Sequence, residues 1–384
     1  MPALLLTLLL SVTVPATVLA HPPMQELVQR TLGLIYNMAF DEALQAAQHI
    51  TDTVPTHPAG PFLRASTYWQ RRLVVYESQQ RASLLTQFLA ATEQARARAA
   101  QLPPAQATEA DFYLGAVYGM QARMYFVEQY YLRALLTARQ GSVHLQACVA
   151  RDPAWYDAYA GLGTYHYVLS RVPDFWRPLV QRLIGLPGDR EQGLQALEQA
   201  RTAGQLSAPE ATSLLAKIYA LPEEQQYDRA AHLLEHLVQR YPQNTDYRYR
   251  LALVCIQLRR WERARALLQA LLTDVEQARP YTPREWIPFL QYRLAELALM
   301  QRQPHAAAVF LHTLRTQTLS PALRAWVELR LGNMHDLLGE GQAAQAWYQG
   351  VQGEAEAEAQ AQQYRHMPFN GLTIALKPPE QVVI

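Results

Sequence analysis

A pattern of large and small residues that returns after 34 positions constrains this chain more than any other feature. In Tyr227-Asp-Arg-Ala230-x3-Leu234-x2-Leu237-x4-Pro242, a large residue, a small one and two apolar ones share one helical face, and a proline closes the segment. The frame recurs at Trp261, Ala264, Leu268 and Leu271, and between the two lies a further helix with Leu251, Ala252 and Cys255. Two antiparallel helices that approach closely need a small residue at the contact, and Ala252 and Ala264 supply it. Leu251, Trp261 and Leu268 fill the space around that contact, each contributing about 1.5–3 kcal/mol when fully buried. A single hairpin of this kind leaves an apolar face uncovered, so such hairpins become stable only when stacked in series.

The spacing resembles the tetratricopeptide repeat family, closely in position and loosely in residue identity. That resemblance implies an all-α, right-handed superhelical solenoid of helical hairpins, whose first helices line a concave groove that holds a peptide or protein segment. The frame returns at Leu114-Gly115-x2-Tyr118, at Tyr159, Leu162, Gly163 and His166, at Leu215, Ala216 and Tyr219, and at Leu331-Gly332-x2-His335. Phe40, Ala43, Ala47 and Ile50 match a second repeat helix near the start.

Breaks in this pattern divide the chain into sections. Residues 1–20 read as a signal peptide, 21–102 as degenerate N-terminal hairpins, 103–204 as aromatic-rich units, 205–358 as regular units and 359–384 as a cap and tail. An insertion at 172–190, holding Pro173, Phe175, Trp176, Pro178 and Pro187, interrupts one hairpin, and an extra helix is expected over Leu179 to Ile184. Thr373 to Leu376 is a candidate docking strand.

The apolar run Leu4 to Leu10, followed by Pro15 and by Val18-Leu19-Ala20, has the form of a secretory signal cleaved after Ala20. The expectation is a chain exported to a bacterial periplasm, with an uncleaved N-terminal anchor as the alternative. No later segment is long and apolar enough to span a bilayer. Cys148 and Cys255 would then meet an oxidising compartment, yet both occupy core positions 107 residues apart in a fold where units contact their neighbours, so they read as buried free thiols.

A formal net charge of +1, from 34 basic and 33 acidic residues, argues against nucleic acid as a partner held by bulk charge. The sequence has no G-x-S-x-G elbow, P-loop or G-x-G-x-x-G run, so no catalytic residue and no cofactor is expected. His232-x3-His236 has metal-ligand spacing but no third ligand, and reads as a solvated helix edge, leaving no metal expected. His166 and His335 stand where the repeat places a core aromatic, and read as buried, satisfied histidines.

The chain is therefore read as a non-catalytic scaffold or adaptor for a protein or peptide segment. Positions two, five, nine and twelve of each first helix face the groove in the family. By that resemblance the groove receives Asp157, Thr164 and Tyr167, then Lys217 with Glu210 and Ser213, then Asp246 and Tyr249 with Leu253. Tyr292 and Glu296 follow with Phe289, then Trp326 and Asn333 with Asp336. The clamp of two lysines and two asparagines that some family members use for carboxylate tails is missing, since only Lys217 and Asn333 are available. Two alternatives remain open. The aromatic-rich stretch Phe112 to Trp176 fits a carbohydrate- or peptidoglycan-associated binder, and an enzyme with the 172–190 insertion as a lid would require His166 and carboxylates to converge in one pocket.

Overall fold

Every regular element among the described residues of the computed structural model is helical; these are residues 22–173 and 188–371, with 175, 178 and 182 between them. The expected signal peptide, most of the 172–190 insertion with its expected helix, and Thr373 to Leu376 lie outside the described residues. The first eight helices are α1 Pro22–Tyr36, α2 Phe40–Thr53, α3 Ala59–Val74, α4 Ser78–Ala100, α5 Ala107–Val127, α6 Tyr131–Arg151, α7 Ala158–Ser170 and α8 Arg190–Ala203. They are followed by α9 Ala208–Tyr219, α10 Tyr227–Arg240, α11 Thr245–Gln257, α12 Trp261–Glu276 and α13 Trp286–Met300. The last four are α14 Pro304–Arg315, α15 Pro321–Leu338, α16 Gly341–Gly350 and α17 Ala355–His366. α1 packs on α2, and consecutive helices pack on one another from α5 to α8 and from α10 to α17, the arrangement of an all-α helical repeat solenoid.

Hairpin turns are built on one plan. A residue with positive φ stands two positions before the second helix at Met38, Gln129, Gln225, Arg259, Arg302 and Gly339. Each turn is closed by a backbone bond spanning it, such as Arg260 N–H to Cys255 O at 2.8 Å, Gln303 to Ala298 at 2.9 Å and Glu340 to His335 at 2.9 Å. Only Gly339 is the residue that sterics favour at such a turn. Helix starts are more individual. Asp189 caps α8 by accepting from Gln192 N–H at 2.9 Å, Asn244 caps α11 through Tyr247 N–H at 3.1 Å, and Ser320 caps α15 through Leu323 N–H at 3.3 Å.

The helices fall into two compact units, Met1–Arg72 with Ala82–Ala211, and Leu73–Arg81 with Thr212–Ile384. Sections 21–102 and 103–204 therefore lie together in the first unit apart from 73–81. Within it, α7 and α8 touch through glycine: a Cβ on Gly163 would lie 2.8 Å from Gly193 O, and one on Gly193 would lie 2.7 Å from Tyr167 N. In the second unit Ala252 and Ala264 are fully buried at the contact the repeat spacing requires. Its C-terminal core joins Leu299, Leu311, Trp326, Leu329, Tyr348 and Phe369. Cys148 and Cys255 are buried free thiols, one in each unit. Burial pushes the Cys148 thiol up to about 12, helped by the charges of Asp152 and Asp157.

Candidate partner-binding face

In the second unit, α11 carries Asp246, Tyr249, Arg250 and Leu253 at helical spacing, and all four are half-buried. The Arg250 Nε donates to both oxygens of Asp246, at 3.0 and 2.8 Å. Burial pushes the Asp246 carboxyl up, but the charges of Arg250 and Lys217 outweigh that effect and hold it below the usual carboxylate range. Lys217, half-buried on α9, thus belongs electrostatically to the same patch. The Tyr249 hydroxyl accepts from Arg293 Nε at 3.2 Å, and its ring lies 5.8 Å from that of Trp286, tilted by 54°. Trp286 Nε1 in turn donates to the Tyr76 hydroxyl at 2.7 Å. Two aromatic rings and charges of both signs are therefore held in fixed positions on a partly exposed face.

Beneath that face lies a charged core. Arg293, Glu296 and Arg330 are each 0 % exposed. Glu296 Oε2 accepts from Arg293 Nη1 at 2.5 Å, while its Oε1 accepts from Arg330 Nε and Nη2 at 3.0 and 2.8 Å and from the Tyr292 hydroxyl at 2.7 Å. The chain of bonds continues from Arg330 Nη1 to Asn333 Oδ1 at 3.0 Å, and from Asn333 Nδ2 to the Tyr348 hydroxyl at 3.0 Å. That hydroxyl donates to Asp336 Oδ2 at 2.6 Å. Trp326 packs with its ring 5.4 Å from the Arg330 guanidinium. Burial, reinforced by the neighbouring Glu296, pushes the Tyr292 phenol well up, although Arg330 and Arg293 oppose the shift.

Tyr292, Glu296, Trp326 and Asn333, which the resemblance assigned to the groove, lie buried inside the stack and not on an open face. The reason is that α13 and α15 are covered on nearly all sides: every residue from Tyr292 to Leu299 is buried.

In the first unit the assigned residues are engaged within the fold. Asp157 Oδ1 accepts from Leu206 N–H, Ser207 N–H and the Ser207 hydroxyl, each at 2.8 Å. The Thr164 hydroxyl donates to Ala160 O on its own helix at 2.7 Å, and Tyr167 is buried. A convergence that sequence reasoning missed lies at Glu210, which accepts from Arg123 Nη1 at 2.6 Å and from Gln70 Nε2 at 3.4 Å. Arg123 also lies 4.9 Å over Trp69. These residues come from α3, α5 and α9, and no spacing in the sequence ties them together.

His166 lines a cleft of about 490 Å³ with Tyr159, Gln146, Gln192, Gln195 and Gln199, and among the described residues no Asp or Glu lines it. The convergence of His166 with carboxylates that a lidded enzyme would require is not found among the described residues. His335 is half-buried, bonded through Nδ1 to Glu340 Oε2 at 2.6 Å and stacked on Trp347. Among the described residues no group of three or more His, Cys, Asp or Glu is placed to hold a metal ion, and no helix is long and apolar enough to cross a membrane.

Residues 223–281 match the family profile of the tetratricopeptide repeat. The chain carries tetratricopeptide repeats. The matched segment includes α10, α11 and α12, and with them Asp246 and Tyr249 of the half-exposed face. Its turn at Arg259 has a positive φ, as do the turns at Met38, Gln129, Gln225, Arg302 and Gly339. No curated protein matches the chain.

Proposed function

We propose that this tetratricopeptide protein is a non-catalytic adaptor of the cell envelope that holds an extended protein segment against the α11 face of its second unit. The observation that carries the reading is the fixed presentation of Tyr249 and Asp246: one is held by Arg293 and Trp286, the other by Arg250 and Lys217. Aromatic anchors already locked in place lose little conformational freedom on binding, the condition under which a few residues dominate an interface. Export rests on the apolar N-terminal run and the small residues at Val18 and Ala20. The test is a crosslinking pull-down from envelope extract with residues His21 to Ile384, alongside a Tyr249→Ala/Lys217→Ala variant whose folding is checked by circular dichroism. A partner captured by the parent and lost by the folded variant supports the reading. Equal capture by both overturns it.

A second reading, a neutral saccharide ligand, is favoured by the His166 cleft, where four glutamines surround Tyr159 and no Asp, Glu, Lys or Arg lines the wall among the described residues. Carboxamides donate to and accept from hydroxyls without selecting for ionic groups. Retention of the parent on purified wall material, with a Tyr159→Ala/Gln195→Ala variant running through, would support it.

A further inference from the structure

Among the described residues, a concentration of exposed apolar side chains lies on the hairpin of α5 and α6. Phe126, Tyr130, Tyr131, Leu132, Leu136 and Val143 all stand out from it, with Phe126 59 % and Leu132 69 % exposed. The first four surround the turn, where the Phe126 and Tyr131 rings meet edge to face at 5.4 Å. Leu136 and Val143 continue the patch along α6. At about 100° per residue, Leu132, Leu136, Arg139 and Val143 share an arc of roughly 60° and extend the patch about 17 Å from Leu132.

The opposite face of α6 is already occupied, since Ala134, Thr137, Gly141, Leu145 and Cys148 are buried in the first unit. A helix that packs through one face ordinarily turns a polar face to water. Here a second apolar stripe faces outward, and a contiguous patch of this kind marks a surface that is covered in function.

Charge distinguishes between the possible occupants. Along its 21 residues α6 carries Arg133, Arg139 and Arg151 and has no Asp or Glu. The nearby carboxylates are engaged within the protein, Glu128 with Arg72, and Asp111 with Arg151 and with His144 at 2.8 Å. Arg133 and Arg139 are exposed beside the apolar stripe, and Arg133 lies 4.2 Å from the Tyr125 ring. An outer helix face with an apolar stripe, arginines and no carboxylate, beginning in a cluster of Phe, Tyr and Leu, has the composition that lies in the interface of an anionic bilayer.

We infer that the α5–α6 hairpin docks on an anionic lipid surface, with Phe126, Tyr130, Tyr131 and Leu132 entering the headgroup region and Arg133 and Arg139 meeting lipid phosphates. This does not depend on the adaptor reading, because neither Tyr249 nor the His166 cleft takes part. The full chain is sedimented with vesicles of phosphatidylcholine alone and with vesicles containing phosphatidylglycerol. Alongside it runs a Leu132→Gln/Leu136→Gln variant, which changes exposed positions only and so keeps the buried face of α6. The expected result is cosedimentation with the anionic vesicles, weakened by salt and reduced roughly tenfold or more in the folded variant. Failure of the parent to bind either vesicle overturns the proposal, as does equal binding by the variant. A dimer of the parent that the variant loses also overturns it, by showing that a second copy of the chain covers the stripe.

Discussion

Arg330 on α15 reaches the carboxylate of Glu296 on α13 across one repeat interval, 34 positions, and binds it through Nε and Nη2 at 3.0 and 2.8 Å with both side chains fully buried. Two guanidinium groups share that carboxylate, because Arg293 binds its other oxygen. Replacing Glu296 by Gln takes from both buried cations the carboxylate they share, and a loss of about 3–5 kcal/mol in urea unfolding is expected. The triple replacement Arg293→Met/Glu296→Leu/Arg330→Met removes the charges together and should cost far less than the single change. A single change as mild as the triple would show that the cluster is hydrated in solution.

The glycine contact between α7 and α8 makes a second prediction. A methyl at Gly163 would meet backbone atoms, Gly193 O at 2.8 Å and Leu197 N at 2.9 Å, which cannot rotate away. Gly163→Ala should destabilise the protein by about 1–3 kcal/mol through overpacking. Gly33, within α1, has nothing within 4 Å of its added Cβ, and Gly33→Ala should stabilise by roughly 0.5–1 kcal/mol through helix propensity. Thermal unfolding of the two variants side by side tests the difference in sign.

Acid should act on Asp246. Its carboxyl is held below the usual range in the folded protein, so it contributes stability above the ordinary carboxylate pKa. That contribution is lost as pH falls through the lowered folded value. Asp246→Asn should therefore be less stable than the parent at neutral pH, and the gap between their urea midpoints should close in acid. A gap independent of pH would show that the ion pair with Arg250 and the nearby charge of Lys217 carry no net stabilisation.

The thiols provide the fourth test. Cys148 and Cys255 are both buried, and burial pushes both thiols upward. Neither should react with an aromatic disulfide reagent in the native protein at neutral pH, and both should react together once urea unfolds it. Fast labelling of one cysteine in the native state would mark the unit that opens locally.

The hairpin plan was legible in the sequence because its signal is steric. Small residues at Ala252 and Ala264 and apolar residues at Leu251, Leu268 and Leu271 are where the repeat demands them, and all five are buried. His166 is buried too, in keeping with its place in the frame. The charged core was hidden for a chemical reason. Arg293, Glu296 and Arg330 have the spacing of an ordinary exposed helix face, and only the three-dimensional arrangement shows that they satisfy one another without water. The same blindness applies to Asp157, whose spacing points to a groove while its oxygen caps the approach to α9. The outer stripe of α6 was missed for the opposite reason. Its leucines fit a helix packed in the stack, and sequence alone does not tell which of two apolar faces is covered.

The turn shared by the hairpins has a consequence for how such a chain can change over time. Because its closing bond runs from backbone to backbone, with Met, Gln, Arg or Gly at the left-handed position, the turn keeps its shape whatever side chain stands there. Hairpins on this plan are interchangeable parts that duplication or deletion can add or remove without redesigning a joint. The hairpins bearing Glu296 and Arg330 are the exception, since each carries half of a lock. They can be inherited as a pair, but a copy of the Arg330 hairpin inserted elsewhere would bring a buried cation without the carboxylate it binds here.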